Sequence, residues 1–278
     1  MAGVRPKKAL GQHFLTDLSV ARRIAGTVSD CKGIPVLEVG PGMGVLTRFL
    51  LDEGHDVTVV EIDTESVDYL KTNFPALRDE RIVEGDFLDM DLHALFPDRE
   101  FVVIGNFPYN ISSQIFFKVL DYKDSIPCCA GMLQREVAER LAAAPGSRTR
   151  GILSVLLQAW YEVEYLFTVS ENVFNPPPKV KSGVVRMRRR KDVVNLGCDE
   201  ALFKTVVKTT FGQRRKTIRN SLRGVTGAAP VAESPLLAMR PEQLSVAQFV
   251  ELTNMAAQAL SAAGRPPKQG TGAGPAQL

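Results

Sequence analysis

Apolar positions fall into two rhythms along this chain. Short apolar runs at Pro35-Val36-Leu37-Glu38-Val39, Val57 to Glu61, Arg81 to Glu84, Phe101 to Ile104 and Ile126 to Leu133 read as strands. Between them, apolar residues recur every three or four positions. That spacing predicts helices over Val45 to Leu51, Thr64 to Asn73, Ser112 to Leu120 and Arg135 to Ala143. A leading helix is predicted from Asp17 to Val28, with Thr16 or Asp17 as its cap. Strands that are apolar throughout are buried on both faces, so the alternation predicts an α/β fold: a mainly parallel sheet with helices on both sides. A helix near 152–160 follows, then strands near 162–169 and 183–188. These last two have no helix between them and predict an antiparallel addition to the sheet. After Lys191 the rhythm is helical only, over 201–211, 214–223 and 245–260.

The expected organisation is therefore a sheet domain over 1–191, with 1–12 as a basic flexible arm, and a small all-helical domain over 192–263. The stretch 264–278 is rich in Gly, Pro, Ala and Gln, cannot bury a core, and is expected to be a disordered tail. No apolar run is long enough for a membrane span, and the basic N-terminus lacks the apolar core of a signal peptide, so a cytoplasmic protein is expected. Cys31, Cys128, Cys129 and Cys198 match no zinc spacing; neither a metal nor a disulfide is expected.

Charge changes the picture. The net charge is only +3, but between Lys179 and Arg223 fourteen Lys/Arg stand against three acids, so the rest of the chain is net acidic. Such asymmetry points to a polyanionic partner; on charge alone, a solvated basic helix surface is an equal alternative.

Candidate chemistry lies at the predicted strand ends. The first sheet strand runs into Glu38-Val39-Gly40-Pro41-Gly42-Met43-Gly44, where Gly40, Gly42 and Gly44 permit a tight turn and close approach of a ligand. Val45 stands where a dinucleotide loop needs its last glycine, which favours a cofactor without a pyrophosphate. Glu61 ends the second strand, where an acid can accept from both hydroxyls of a ribose. Asp86, in Gly85-Asp86-Phe87, ends the third, where a carboxylate can accept from an adenine amino group.

The fourth strand is followed by Asn106-Phe107-Pro108-Tyr109. An adenine amino nitrogen is a poor nucleophile because its lone pair is delocalised into the ring. A side-chain amide oxygen and a backbone carbonyl can both accept from it and direct the lone pair at a methyl carbon. Tyr109 can stack on the base, and Phe174, in Phe174-Asn175-Pro176-Pro177-Pro178-Lys179-Val180-Lys181-Ser182, is expected to form the other wall of a sandwich. With an activated sulfonium donor, S-adenosylmethionine, positioning and electrostatics carry most of the work. The base must be single-stranded or flipped out, and stacking at roughly 1–3 kcal/mol per base offsets that cost.

Together with Leu10-Gly11-Gln12-His13-Phe14-Leu15, these segments resemble the ribosomal RNA adenine dimethyltransferases over nearly the whole chain. Phe211-Gly212-Gln213-Arg214-Arg215-Lys216-Thr217-Ile218-Arg219-Asn220-Ser221-Leu222 is similar to a C-terminal motif of the small-subunit group. The resemblance implies a Rossmann-like methyltransferase domain that uses S-adenosylmethionine. It implies N6-dimethylation of two adjacent adenines in the 3′-terminal hairpin loop of 16S rRNA, on an immature 30S subunit. It carries cofactor contacts onto His13, Leu15, Gly40, Glu61, Asp86 and Asn106, with the neighbouring Gly42, Gly44, Ile62 and Phe87. His13 stands where many members have asparagine, and Phe107 where leucine is usual. No obligate protein partner is evident, and a monomer is expected. The alternatives are a large-subunit rRNA or DNA adenine methyltransferase, or a protein acting mainly as an assembly factor.

Overall fold

The computed structural model describes residues 10–264 together with Val4, Pro6 and Lys7. The chain divides into two compact units, one of 1–142 with 160–190 and the other of 143–159 with 191–278.

The first unit opens with a two-residue strand β1 (Phe14–Leu15) and helix α1 (Leu18–Ala25), whose first amides are capped by Asp17. Five strand–helix steps follow: β2 (Val36–Val39), α2 (Val45–Asp52), β3 (Val57–Glu61), α3 (Thr64–Asn73), β4 (Ile82–Glu84), α4 (Leu92–Leu95), β5 (Val102–Asn106), α5 (Ser112–Asp121), β6 (Cys128–Gln134) and α6 (Arg135–Leu141). The chain leaves for α7 (Ile152–Gln158) and returns as β7 (Tyr161–Val169), β8 (Phe174–Asn175) and β9 (Ser182–Arg189).

Seven strands form one sheet in the order β4-β3-β2-β5-β6-β9-β7, and β1 pairs with β8 separately. The neighbours from β4 to β6 are parallel, while β9 runs antiparallel to both β6 and β7. The antiparallel addition thus lies where two strands follow each other without a helix. Every residue of β2 and β3 is buried, as expected for strands covered by helices on both faces. The order matters for the site. From β2 the chain steps outward through β3 to β4, then returns to place β5 on the other side of β2. In such open sheets the ligand crevice lies at the carboxyl ends of the strands where the order reverses.

The second unit is helical. Besides α7 it holds α8 (Glu200–Gly212), α9 (Ile218–Ser221), α10 (Arg223–Thr226) and α11 (Val246–Ala262). Asp199 caps α8 through the Leu202 amide, and Ser245 and Gln248 form a reciprocal capping box on α11. Phe211 and Phe249 stack between these two helices, with ring centroids 6.0 Å apart.

Three expectations change. The helix near 152–160 belongs to the helical unit rather than to a 1–191 domain, because the buried Leu153, Val155, Leu156 and Leu157 make α7 a core helix against α8. The single helix expected over 214–223 is a turn followed by α9 and α10. Thr217 is extended and the Ile218 amide donates to the carbonyl of Met239, so the helical ladder restarts there. The arm, expected to be flexible over 1–12, is anchored in its described part by Lys7 and Gln12 on Asp63. The tail expected at 264–278 lies outside the described residues from 265 onward.

Candidate active site

The carboxyl ends of β2, β3, β4 and β5 open onto a cavity of about 230 Å³. Its wall includes Gly40 and Gly42 after β2, Glu61 and Ile62 at β3, Asp86 and Phe87 after β4, and Asn106, Pro108 and Tyr109 at β5. His13 and Leu15 close it from the arm. These residues are far apart in sequence and are gathered by the parallel sheet.

The glycine turn is shaped by more than its own flexibility. Gly42 adopts φ +55°, and a Cβ there would lie 2.8 Å from the Phe14 ring, so the close approach of the arm requires glycine. Glu61 fixes the turn from the next strand. Its Oε2 accepts from the Gly42 amide at 3.0 Å, and its Oε1 accepts from Ile62 and Asp63, each at 3.0 Å. Burial pushes its pKa up, opposed by these amides, while the field of Asp63 adds to the rise. Oε2 carries one donor and retains acceptor capacity toward the cavity. Asp86 accepts from the Leu88 amide at 2.8 Å. Behind it, Lys118 of α5 donates to the carbonyls of Leu88 and Met90, which holds the loop after β4 in place.

Asn106 is oriented by the arm. Its Nδ2 donates to the carbonyl of His13 at 3.0 Å, and its Oδ1 has no partner among the described residues. The amide is therefore turned with its acceptor free. The carbonyl of Pro108 accepts from Ile111 at 3.2 Å and keeps a second lone pair. The Tyr109 hydroxyl pairs with Ser182 at 2.5 Å, and its ring lies 5.4 Å from that of His13, tilted by 31°. Burial raises the Tyr109 pKa, opposed by the Ser182 hydrogen bond. Phe107 is 1% exposed and sits edge-on to Phe116, with ring centroids 5.7 Å apart. A Cβ on Gly131 would lie 2.5 Å from its ring, so that glycine makes the room which the bulky Phe107 occupies.

The described part of the arm is fastened at several points. The His13 ring Nδ1 lies 2.8 Å from the carbonyl of Pro176, β1 pairs antiparallel with β8, and Thr16 donates to Val173. Lys7 meets Asp63 and, at 3.2 Å, Glu65. Burial alone would raise the Asp63 pKa, but hydrogen bonds from Lys7, Ser66 and Gln12 win and hold it low.

Two sequence-predicted residues fall outside the wall. Gly44 caps α2 in a left-handed conformation and packs against Phe74, a structural position. Phe174, expected as the second wall of a base sandwich, is 4% exposed and sits in the hydrophobic core with Leu15 and Val169. Its strand pairs with β1, placing Phe174 opposite Leu15, and Phe174 itself is not part of the cavity wall. Conversely, the sequence assigned no task to Lys7, Gln12, Asp63 or Lys118. Only the run of polar residues before Phe14 hinted at the first two.

The basic stretch is less free than its composition suggests. Arg186, Arg188 and Arg219 form ion pairs with Glu164, Asp30 and Glu233, acids outside that stretch. Lys179, Lys181, Arg215 and Arg223 are exposed and enter no ion pair among the described residues.

The ribosomal RNA adenine dimethylase family profile matches residues 3–258. A ribosomal RNA small subunit methyltransferase A from Parabacteroides distasonis is 69% identical over 251 residues, covering 90% of this chain and 93% of its own. Among solved structures, a dimethyladenosine transferase from Plasmodium falciparum superposes with a TM-score of 0.71 at 22% identity, covering 91% of this chain and 99% of that one; it shares the fold. The 23S rRNA methyltransferase ErmE superposes with a TM-score of 0.62 at 28% identity, covering 86% and 99% of the two chains.

Proposed function

The chain belongs to the ribosomal RNA adenine dimethylase family and is an rRNA adenine dimethyltransferase, and from that premise we propose its substrate, its cofactor and the tasks of its residues. The substrate is the pair of adjacent adenines in the 3′-terminal hairpin loop of 16S rRNA, presented by an immature 30S subunit to a monomeric enzyme. The choice of the small subunit rests on the name and the 69% identity of the Parabacteroides relative, set against 28% for the enzyme of 23S rRNA.

The cofactor is S-adenosylmethionine, and the residues present fit it. The cavity wall carries Glu38, Glu61 and Asp86 but no lysine or arginine, a charge balance suited to a cationic ligand. Glu61 accepts from the ribose hydroxyls, Asp86 accepts from the adenine amino group, and Gly40 and Gly42 let the backbone approach. His13, Leu15, Ile62 and Phe87 supply the remaining wall. When bound, this cofactor supplies a methyl group activated by a positively charged sulfur.

The residues after β5 act on the target base. The Oδ1 of Asn106 and the carbonyl of Pro108 accept the two protons of the N6 amino group, which localises the nitrogen lone pair and aims it at the methyl carbon. Tyr109 stacks on the base. A proton leaves the amino group after transfer, so no side chain needs to be a strong base. Lys179, Lys181, Arg215 and Arg223 meet RNA phosphates.

The observation that carries this reading is the Asn106 amide, clamped through Nδ2 with its acceptor left free beside an acidic cavity. The test is to incubate the enzyme and cofactor with unmethylated small subunits and map modified nucleotides by mass spectrometry of 16S rRNA digests. Dimethyladenosine at both adjacent loop adenines is expected; dimethyladenosine confined to other positions overturns the substrate assignment.

A further inference from the structure

Glu38 and Glu61 lie on neighbouring strands and both line the cavity, yet their surroundings are opposite. Glu61 accepts three backbone amides. Glu38 is 1% exposed, and its Oε2 is buried without any hydrogen-bond partner. A carboxylate in that setting is costly unless it is neutral or a cation comes to it. Among the described residues no side-chain cation does so. Besides the three acids, the ionisable members of the wall are His13 and Tyr109. Thr47 of α2 lies beside Glu38, and the titratable group acting on it from β3 is Glu61. Burial pushes the Glu38 pKa up to about 8, the neighbouring Thr47 opposes the rise, and the field of Glu61 adds to it. At neutral pH the empty site therefore holds Glu38 mostly as the acid.

We propose that Glu38 is a proton-linked counter-charge by which the enzyme distinguishes its cationic sulfonium cofactor from the neutral thioether left after transfer. This rests on the cofactor reading above. On binding the sulfonium, the Glu38 O–H bond breaks, the proton goes to solvent, and the carboxylate balances the positive sulfur. On transfer, the sulfur–methyl bond breaks with its electron pair staying on sulfur, and the N6–methyl bond forms as the amino group loses a proton. The sulfur is then neutral, and Glu38 takes a proton back from solvent. The spent product thus faces an acid with no charge to balance, which favours its exchange for fresh cofactor between the successive methylations.

Isothermal titration calorimetry at pH 7.5, in buffers of different ionisation enthalpy, tests this on the full-length chain. S-adenosylmethionine and S-adenosylhomocysteine are each titrated into the wild type and into Glu38→Gln. The sulfonium is expected to release more protons than the thioether, by roughly 0.5–1 per site. That difference vanishes in Glu38→Gln, whose preference for the sulfonium over the thioether falls about tenfold. Should Glu38→Gln not fold, the wild type alone decides: the excess proton release shrinks at pH 9, where the empty site is already ionised. Equal proton release for both ligands in the wild type, or an unchanged excess in Glu38→Gln, overturns the proposal while leaving the cofactor in place. No binding of either ligand overturns the cofactor reading together with it.

Discussion

The cavity at the strand ends and the basic stretch from Lys179 to Arg223 carry opposite charge and are built in opposite ways. In the cavity the charges are few, and each has one position fixed by the sheet. Glu61 is held by three amides and Asn106 by one carbonyl. In the basic stretch the charges are many, half of them exposed, and several are already paired with acids elsewhere in the protein. A small cationic cofactor needs the first design, because a buried site acts through close placement of a few groups. A polyanion needs the second, because phosphate contacts add in small, salt-dependent steps. Loss of one group should therefore be drastic in the cavity and gradual in the basic stretch.

Asn106→Ala should set the two regions furthest apart. Turnover is expected to fall by about a thousandfold, with the melting temperature and cofactor affinity little changed; single-turnover methylation assays and thermal melts check it. Next comes the combined change of Lys179, Lys181, Arg215 and Arg223 to Gln. RNA affinity at low salt should fall on the order of a hundredfold, with the slope of log affinity against log salt flattened by roughly 0.7–0.9 for each phosphate left without its cation. Each single change should do a fraction of this, measured by filter binding across a salt series.

Phe174→Ala separates a core role from a stacking role. As a core residue its loss should cost about 3 kcal/mol of stability, read from urea melts, with the relative turnover of the folded fraction largely kept. A folded, stable variant that has lost base binding would return Phe174 to the sandwich.

Glu38 makes a further stability prediction. Its folded pKa is raised from the ordinary 4.5 to about 8. The folded chain thus keeps a proton that the unfolded chain has lost, and stability falls as pH rises between those values. Glu38→Gln escapes this loss. Without cofactor it should be more stable than the wild type by roughly 4 kcal/mol at pH 8 and indistinguishable near pH 4, which thermal melts at the two pH values resolve. The smallest effect belongs to Arg186→Gln. Because Arg186 is already paired with Glu164 at 2.7 Å, the salt slope should stay unchanged and stability should move by no more than about 0.5 kcal/mol.

What the sequence revealed follows the same division. The parallel strands were legible because strands buried on both faces are written as unbroken apolar runs, as in Val57 to Val60. The strand-end residues were legible because Glu61, Asp86 and Asn106 break those runs at their carboxyl ends. Features that depend on distant partners were not. Lys7 anchors on Asp63, 56 residues away, and nothing local marks it. The break before α9 comes from a hydrogen bond between Ile218 and Met239, which helical periodicity cannot register. Phe174 reads as an exposed aromatic in a proline-rich loop until its pairing with Leu15 is known. Glu38 sits inside an apolar run, and only its lack of a hydrogen-bond partner at Oε2 in three dimensions separates it from the amide-bound Glu61.

The decisive measurement is methyl transfer from labelled S-adenosylmethionine to unmethylated small subunits, large subunits and duplex DNA, each tested under the same conditions. Label recovered as dimethyladenosine in small-subunit RNA alone is the predicted result. Label that appears in large-subunit RNA or DNA instead, or tight small-subunit binding with no transfer, would contradict it.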